Sequence, residues 1–545
     1  MPFTIRFLPD ERRWRGGAPT ELARAAAACG LPLEQPCGAR GLCGHCRVRV
    51  GAGATPAGDA DRRVLGEAAV RAGWRLGCRL WLGGDATVEL PATARAVHAA
   101  KGFGDDALLA DGFEAPLAGA EWGVALDVGS TTLAAALVSL RSGAVAATAA
   151  QLNPQVRYGA DVVSRIHFAQ EHAARAGELH TLLAAALDAL IARCAAAAGV
   201  PLEHVASVVA VGNPTMLHTL RGLDVTPLGR APYEPTWGGA WAGAAPELGL
   251  ALPERARAYL PPGVRSHVGA DAVAAAVATG LDRAARPALL LDLGTNSELL
   301  LAGPDGIVCT SAAAGPAFEG AGIHQGMRAA PGAVERVHLG ADGDVQVAVV
   351  GGAEAVGVCG SGLVDAVAEL LRAGVVERSG RMRAAAELAG RAPPRLRERL
   401  LEREAGRAFH LAGPAERPVL LTAADVRQLQ LAKGGIRAGV RLLLEHAGLR
   451  EPDPGAVLVA GAFGGYLRSA SALAVGLLPE VGPQRVHAVG NAAGAGARLL
   501  LLDARARERA ERAAAAATHL ELAGRADYQD AFVDALPFPP PRVVA

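Results

Sequence analysis

Lysine is nearly missing from this chain: Lys101 and Lys433 are the only two among 54 basic residues, and arginine supplies the rest. Asparagine is almost as scarce, with Asn153, Asn213, Asn296 and Asn491 alone in 545 residues. A composition this biased toward Ala, Gly and Arg keeps a rare residue where substitutes fail, and all four asparagines fall in turns marked by Gly or Pro. Excess charge is lacking too, since 54 acidic residues match the 54 basic ones. That balance leaves no electrostatic footprint for nucleic acid or an anionic membrane. Apolar stretches such as 182–200 are interrupted by Asp or Arg, so no clean membrane span of about twenty residues is expected. The first thirty residues carry charge and are broken by Gly and Pro, unlike a signal peptide. The expectation is a soluble, cytoplasmic protein with no membrane or nucleic-acid partner. No G-x-x-x-x-G-K-[ST] run occurs, which excludes a Walker phosphate loop.

What is present begins with cysteine. Of eight, four gather near the start: Cys37, Cys43, Cys46 and Cys78. The spacing C-x5-C-x2-C, with a fourth Cys thirty-two residues on, suits a [2Fe–2S] cluster, in which each iron takes two thiolates. Glycines in Cys37-Gly-Ala-Arg-Gly-Leu-Cys43-Gly-His-Cys46 let a loop wrap a cluster and aim N–H groups at its sulfurs. The plant-type loop is one residue shorter, so this is a variant. Zinc is the competing reading, but a four-cysteine zinc site usually shows two C-x2-C knuckles and only one is here. Disulfides would suit an oxidising compartment that nothing else indicates. Cys29, Cys194, Cys309 and Cys359 lack such spacing and read as buried free thiols.

At 51% hydrophobic and 20% charged residues, large cores are affordable and three or more domains are expected. Residues 1–93 read as a small β-rich module, with strands at 3–7, 47–50 and 86–90 and a helix at 20–29. Residues 94–120 lack periodicity and read as a linker. From 121 onward an apolar strand, a polar Gly turn and a second apolar strand occur twice, about 165 residues apart. The repeat predicts two α/β halves, 121–285 and 286–545. Ala-rich helices are expected at 180–198 and 270–280, and strands at 207–211, 456–460 and 485–489. The charged stretch 505–522 reads as a helix with a solvated face.

The repeated turns read Asp127-Val-Gly129-Ser130-Thr131-Thr132 and Asp292-Leu-Gly294-Thr295-Asn296. Such a hairpin supplies what a polyphosphate needs. Glycine permits close backbone approach, hydroxyls and N–H groups bind phosphate oxygens, and the carboxylate holds Mg2+. One copy is also an ordinary hairpin turn. Two copies, with a later strand ending in Gly461, Gly464 and Gly465, point to an ATP cleft whose last loop packs against adenine and ribose.

This set resembles the ATPase superfamily of actin, the sugar kinases and the heat-shock chaperones, the ASKHA (ribonuclease H-like) fold. Val457 to Tyr466 resembles its adenosine motif, and Asn491 to Gly496 its second connecting helix. With the cysteine module in front, the chain resembles the reductive activators of corrinoid proteins. Further segments share that likeness, among them Asn153 to Ile166, Gly212 to His218, Ala314 to Ile323, Cys359 to Asp365 and Gln430 to Ile436. Pro214 departs from it, standing where a hydroxyl residue is usual.

The implied fold is a β-grasp [2Fe–2S] ferredoxin-like α+β domain followed by actin-like α/β ATPase halves, the first including a middle domain. The implied activity is ATP-dependent transfer of an electron to Co(II) of a corrinoid protein or corrinoid methyltransferase, restoring Co(I). An upstream electron donor and a homodimer are implied as well. In that reading Asp127 and Asp292 hold Mg–phosphate, and Gly129, Ser130, Thr131, Thr132, Gly294, Thr295 and Asn296 cradle phosphate. Glu298 or a nearby carboxylate orients water. Lys433 pairs with phosphate or with a surface carboxylate, and Ser361 is a turn serine or a partner contact. Two other functions are an activator of a different low-potential enzyme and a redox-sensing, nucleotide-gated module without turnover.

Overall fold

The computed structural model describes residues 2–29, 31, 33, 41, 44, 46–51, 55–91, 102–104, 112–117, 119–159, 161–265, 267–461 and 466–540. Cys37, Cys43, Gly464 and Gly465, with most of 94–120, lie outside them.

Near the N-terminus, Phe3, Ile5 and Phe7 alternate inward along the strand Phe3–Leu8, the period a half-buried strand requires. That strand pairs antiparallel with Arg12–Gly16 and parallel with Ala86–Glu89. Arg47–Val50 and Trp74–Leu76 complete a five-stranded sheet. In chain order the five run 2-1-5-3-4, a β-grasp arrangement. The helix Leu22–Ala28 lays Leu22, Ala25 and Ala26 on the face formed by Ile5, Phe7, Val48 and Val88.

The repeat in the sequence is a repeat in topology. In the first half, Trp122–Val128 pairs antiparallel with Thr132–Ser139, which pairs antiparallel with Val145–Leu152. On its other side it runs parallel to Val205–Val211, which is parallel to Arg257–Leu260. In the second half, Ala288–Asp292, Asn296–Gly303 and Gly306–Ala313 form the same antiparallel trio. Ala456–Ala460 and Val486–Gly490 then extend that sheet in parallel on the other side. Asp127 and Asp292 therefore sit at matching ends of matching strands.

Three segments differ from their sequence readings. The helix Ala173–Ala198 starts earlier than expected and is long and apolar enough to cross a membrane by length and composition alone. Here it buries Leu183, Leu187, Leu190, Ile191 and Cys194 in the core of the first half. The stretch taken as a linker is packed where it is described. Phe103 is buried with Ala497 and Leu501, and Asp503 accepts from the Glu114 N–H. Last, the charged helix ends at Ala516, and Thr518–His519 forms a strand beside Val308 and Cys309. Its face is only partly solvated, because Ala506 and Ala510 are buried and Arg509 pairs with Asp282 at 2.6 Å.

The helix Ala492–Leu502 ties the halves together. It follows the strand Val486–Gly490 of the second sheet but packs on Ala270–Ala278 and on the first sheet. Gly496 makes this possible, since a Cβ there would stand 2.2 Å from the Ala274 carbonyl oxygen.

Candidate functional site: a nucleotide cleft and a thiol-bearing sheet end

Between the halves lies a cleft of about 260 Å3. Both Asp-Gly turns line it, contributing Asp127, Gly129, Ser130, Thr131 and Thr132 from one side and Asp292, Gly294, Thr295, Asn296 and Glu298 from the other. Gly461 lines it too and lies hard against the second turn. A Cβ there would meet Asp292 Oδ1 at 2.9 Å and the Leu293 carbonyl at 2.7 Å.

The first turn is braced from behind. Asn153, fully buried, donates its N–H to the Thr131 carbonyl at 2.9 Å and its side-chain amide to the Gly129 carbonyl at 3.0 Å. The Arg165 guanidinium donates to the Ser130 carbonyl and, through Nε, to the Gly159 carbonyl at 3.0 Å. These donors hold back the carbonyls, which would repel a phosphate oxygen. Burial pushes Arg165 down to about 10, so it stays charged at neutral pH. In the second turn the buried Ser297 hydroxyl donates to the Gly294 carbonyl at 3.3 Å.

Asp127, Asp271, Asp292 and Glu298 come together in the cleft, and Glu319 lines it as well. Asp127 is buried and accepts from the Asn491 side-chain amide at 3.0 Å. Asp292 stands directly opposite Glu298 across the hairpin, where like charges destabilise. Burial pushes Glu298 well above the usual carboxylate range, with the charges of Asp271 and Asp292 adding to it. Burial also raises Asp271 to about 7, the charges of Asp292 and Asp127 contributing after it. A set of hard oxygen donors gathered in this way, two of them held above their usual range, fits a divalent cation such as Mg2+.

Asp271 was missed in the sequence. It sits in the first turn of Ala270–Ala278, on an Ala-rich helix that reads as plain core. The available signal was a lone acid straight after Gly269-Ala270 in an otherwise apolar run. Asn213 also lines the cleft, and its side chain caps Pro214–Leu220 by accepting from the Met216 N–H at 3.0 Å. Pro214 occupies the first helical position, where a missing N–H costs nothing.

Lys433 is not brought to the cleft, and neither reading of it holds. It is buried on the helix Ala423–His446, and its ammonium donates to the Ala535 and Pro537 carbonyls at 2.5 and 2.6 Å. The C-terminal segment has captured it. Ser361 does line the cleft, but as a buried residue in the first turn of the helix Gly360–Arg372.

In the β-grasp domain, Cys46 immediately precedes the strand Arg47–Val50, and Cys78 sits in the 3-10 turn Gly77–Arg79 that follows Trp74–Leu76. These strands pair with Arg47 opposite Leu76, and the Gly77 N–H donates to the Cys46 carbonyl at 2.8 Å. Both thiols are therefore at one end of the sheet and free of disulfides. Cys46 is buried with Leu33 and Val48, and Cys78 packs against the same core. A pair of thiols in an apolar shell fits two of the four ligands of an iron–sulfur cluster. Cys194, Cys309 and Cys359 are buried free thiols, and burial pushes Cys309 up to about 12.

Three stretches of the chain match families of known proteins. Residues 9–82 match the 2Fe–2S iron–sulfur cluster binding domain, 122–284 the RACo middle region, and 286–543 the C-terminal ASKHA domain of RACo. The corrinoid activation enzyme RamQ of Eubacterium limosum is 33% identical over 406 residues, covering 74% of this chain and 68% of that protein. A [Co(II) methylated amine-specific corrinoid protein] reductase of Methanosarcina barkeri is 31% identical over 265 residues, 45% of this chain and 44% of that protein. A solved reductive activator for corrinoid, iron–sulfur protein superposes with a TM-score of 0.70 at 28% identity, covering 98% of both chains. The β-grasp cysteine domain, the duplicated ATPase fold and these matches together place the chain in the RACo family of reductive activators.

Proposed function

We propose that this protein is an ATP-dependent reductive activator that delivers one electron to Co(II) of a corrinoid protein of a methyltransferase system, restoring Co(I). The observation that carries the reading is the joining, in one chain, of a thiol-bearing β-grasp domain to a cleft lined by two Asp-Gly turns. Cys37, Cys43, Cys46 and Cys78 would hold the [2Fe–2S] cluster, which supplies one-electron chemistry when bound. Asp127 and Asp292 would hold Mg2+, with Thr131, Thr132, Thr295 and Asn296 on phosphate oxygens and Gly461 beside the nucleoside. Asp271 and Glu298 are the carboxylates available to orient water, and Glu298 accepts from the Ser311 hydroxyl at 3.3 Å.

Reduction to Co(I) is uphill for ordinary donors, and each tenfold in a one-electron equilibrium is about 59 mV. Closure of a cleft between two halves is a two-state element through which ATP could offset that gap. The reading includes an upstream electron donor, a homodimer and a cytoplasmic location.

The test is anaerobic visible spectroscopy of the iron-loaded protein with a Co(II) corrinoid protein and a reductant, with and without Mg-ATP. A Co(I) band that grows only with ATP supports the proposal. A bleached cluster spectrum with no effect of ATP on cobalt overturns it and leaves a ferredoxin joined to a nucleotide-gated module.

A further inference from the structure

Charge in the cleft is one-sided. Asp127, Asp271, Asp292, Glu298 and Glu319 line it, yet Arg328 is the only arginine or lysine among the described lining residues. A bound nucleoside triphosphate brings about four negative charges, of which one Mg2+ offsets two. With Lys433 buried against the C-terminal segment, the cleft needs its cation from elsewhere.

The backbone that carries Arg328 is held firmly. The Met327 N–H donates to the Val358 carbonyl and the Val358 N–H to the Gln325 carbonyl, both at 2.9 Å. The Gln325 side chain accepts from the Leu420 N–H at 2.7 Å and donates to the Pro418 carbonyl at 3.1 Å. The His324 N–H donates to Asp425 at 2.7 Å. Gly326 packs so closely that a Cβ would stand 2.0 Å from the Gly320 carbonyl, and one on Gly360 would stand 2.1 Å from the Phe318 carbonyl. The second contact welds this segment to the start of the helix Gly360–Arg372, whose Gly360 and Ser361 also line the cleft. The partial positive charge of a helix N-terminus adds to that of the guanidinium on the same wall. Glu319 shares the wall, and a guanidinium with five donors can serve a carboxylate and a phosphate together.

We propose that Arg328 is the phosphate-binding cation of this cleft, donating to the polyphosphate of a nucleoside triphosphate opposite the carboxylates. The proposal rests on the reading of the cleft as an ATP site. The test measures Mg-ATP affinity by calorimetry on the full, iron-loaded chain, for the wild type, Arg328→Gln and Arg328→Lys. Nucleotide-free unfolding midpoints are measured alongside. Loss of a charge-assisted bond predicts about tenfold or weaker binding for Arg328→Gln. Its nucleotide-free midpoint stays unchanged, and Arg328→Lys recovers part of the affinity. Unchanged affinity in Arg328→Gln overturns the proposal while leaving the ATP reading intact. So does a loss matched by a lower midpoint and not relieved by lysine, which marks a structural role. A wild type that binds no Mg-ATP overturns both.

Discussion

The Asn491 side chain reaches across 364 residues of sequence to donate to Asp127 Oδ2 at 3.0 Å, while its own oxygen accepts from the Gly494 N–H at 3.1 Å. One residue thus caps the helix that joins the halves and steadies a carboxylate of the phosphate turn. Asn491→Ala removes a cap, worth about 1 kcal/mol. It also removes a bond to a buried carboxylate, worth about 1.5–3 kcal/mol. Denaturant unfolding of the variant should show a loss of about 2–4 kcal/mol. Asn491→Asp keeps the cap but sets a second charge against Asp127. Its nucleotide-free midpoint should fall below that of wild type and recover on adding Mg2+.

Lys433 should write a pH dependence into stability. Burial, with a smaller effect from Arg437, pushes it from its ordinary 10.5 down to about 7. Below about 7 the folded chain bears the full cost of the buried ammonium. Between about 7 and 10.5 the unfolded chain binds more protons, so stability rises with pH. Lys433→Met lacks that slope and leaves the Ala535 and Pro537 carbonyls without their donor, at about 1–3 kcal/mol each. Unfolding midpoints at three pH values from 6.5 to 10 should show the wild type gaining on the variant as pH rises.

The asparagines explain why much of the site was legible. Asn153, Asn213 and Asn491 each cap a helix with the side-chain oxygen, and Asn296 lines the phosphate cleft. Substitutes fail at such positions, so a sequence poor in asparagine retained them there. The Asp-Gly turns were legible because their chemistry is local, and the order 3-2-1-4-5 of the five strands common to both sheets follows from their repetition. Asp271 was not, because its meaning comes from Asp127 and Asp292, far away in sequence. Lys433 misled for the same reason, since only the folded C-terminal segment reveals what its ammonium serves. The stretch 94–120 looked like a linker because short packed segments, such as Phe103 with its two flanking residues, have no period to display.

The two chemical modules should separate by mutation. Cys46→Ala removes one thiolate and should abolish cluster absorbance, bound iron and electron transfer, with Mg-ATP affinity within about twofold of wild type. Asp292→Ala should leave the visible spectrum intact and cut ATP hydrolysis by about a hundredfold. It also removes the charge opposite Glu298, so the nucleotide-free protein should unfold at a higher temperature than wild type. A lower midpoint for Asp292→Ala would show that the carboxylates do not repel as described.

Arg165 offers the sharpest separation of bracing from binding, because it touches the phosphate turn only from behind. Its guanidinium reaches the Ser130 and Gly159 carbonyls and lies 3.4 Å from Gln155 Oε1, and the side chain is almost wholly buried. Arg165→Met leaves at least two carbonyls without their donor and should cost about 2–4 kcal/mol. Lysine should not rescue it, since one ammonium cannot span positions that a planar fork reaches together. With the Ser130 carbonyl free to turn, the amides of 129–132 should exchange hydrogen faster and Mg-ATP should bind more weakly, while the cluster spectrum stays unchanged. Faster exchange confined to that turn is the decisive signature. Exchange that quickens across the whole first sheet would instead assign Arg165 to the stability of the half as a unit.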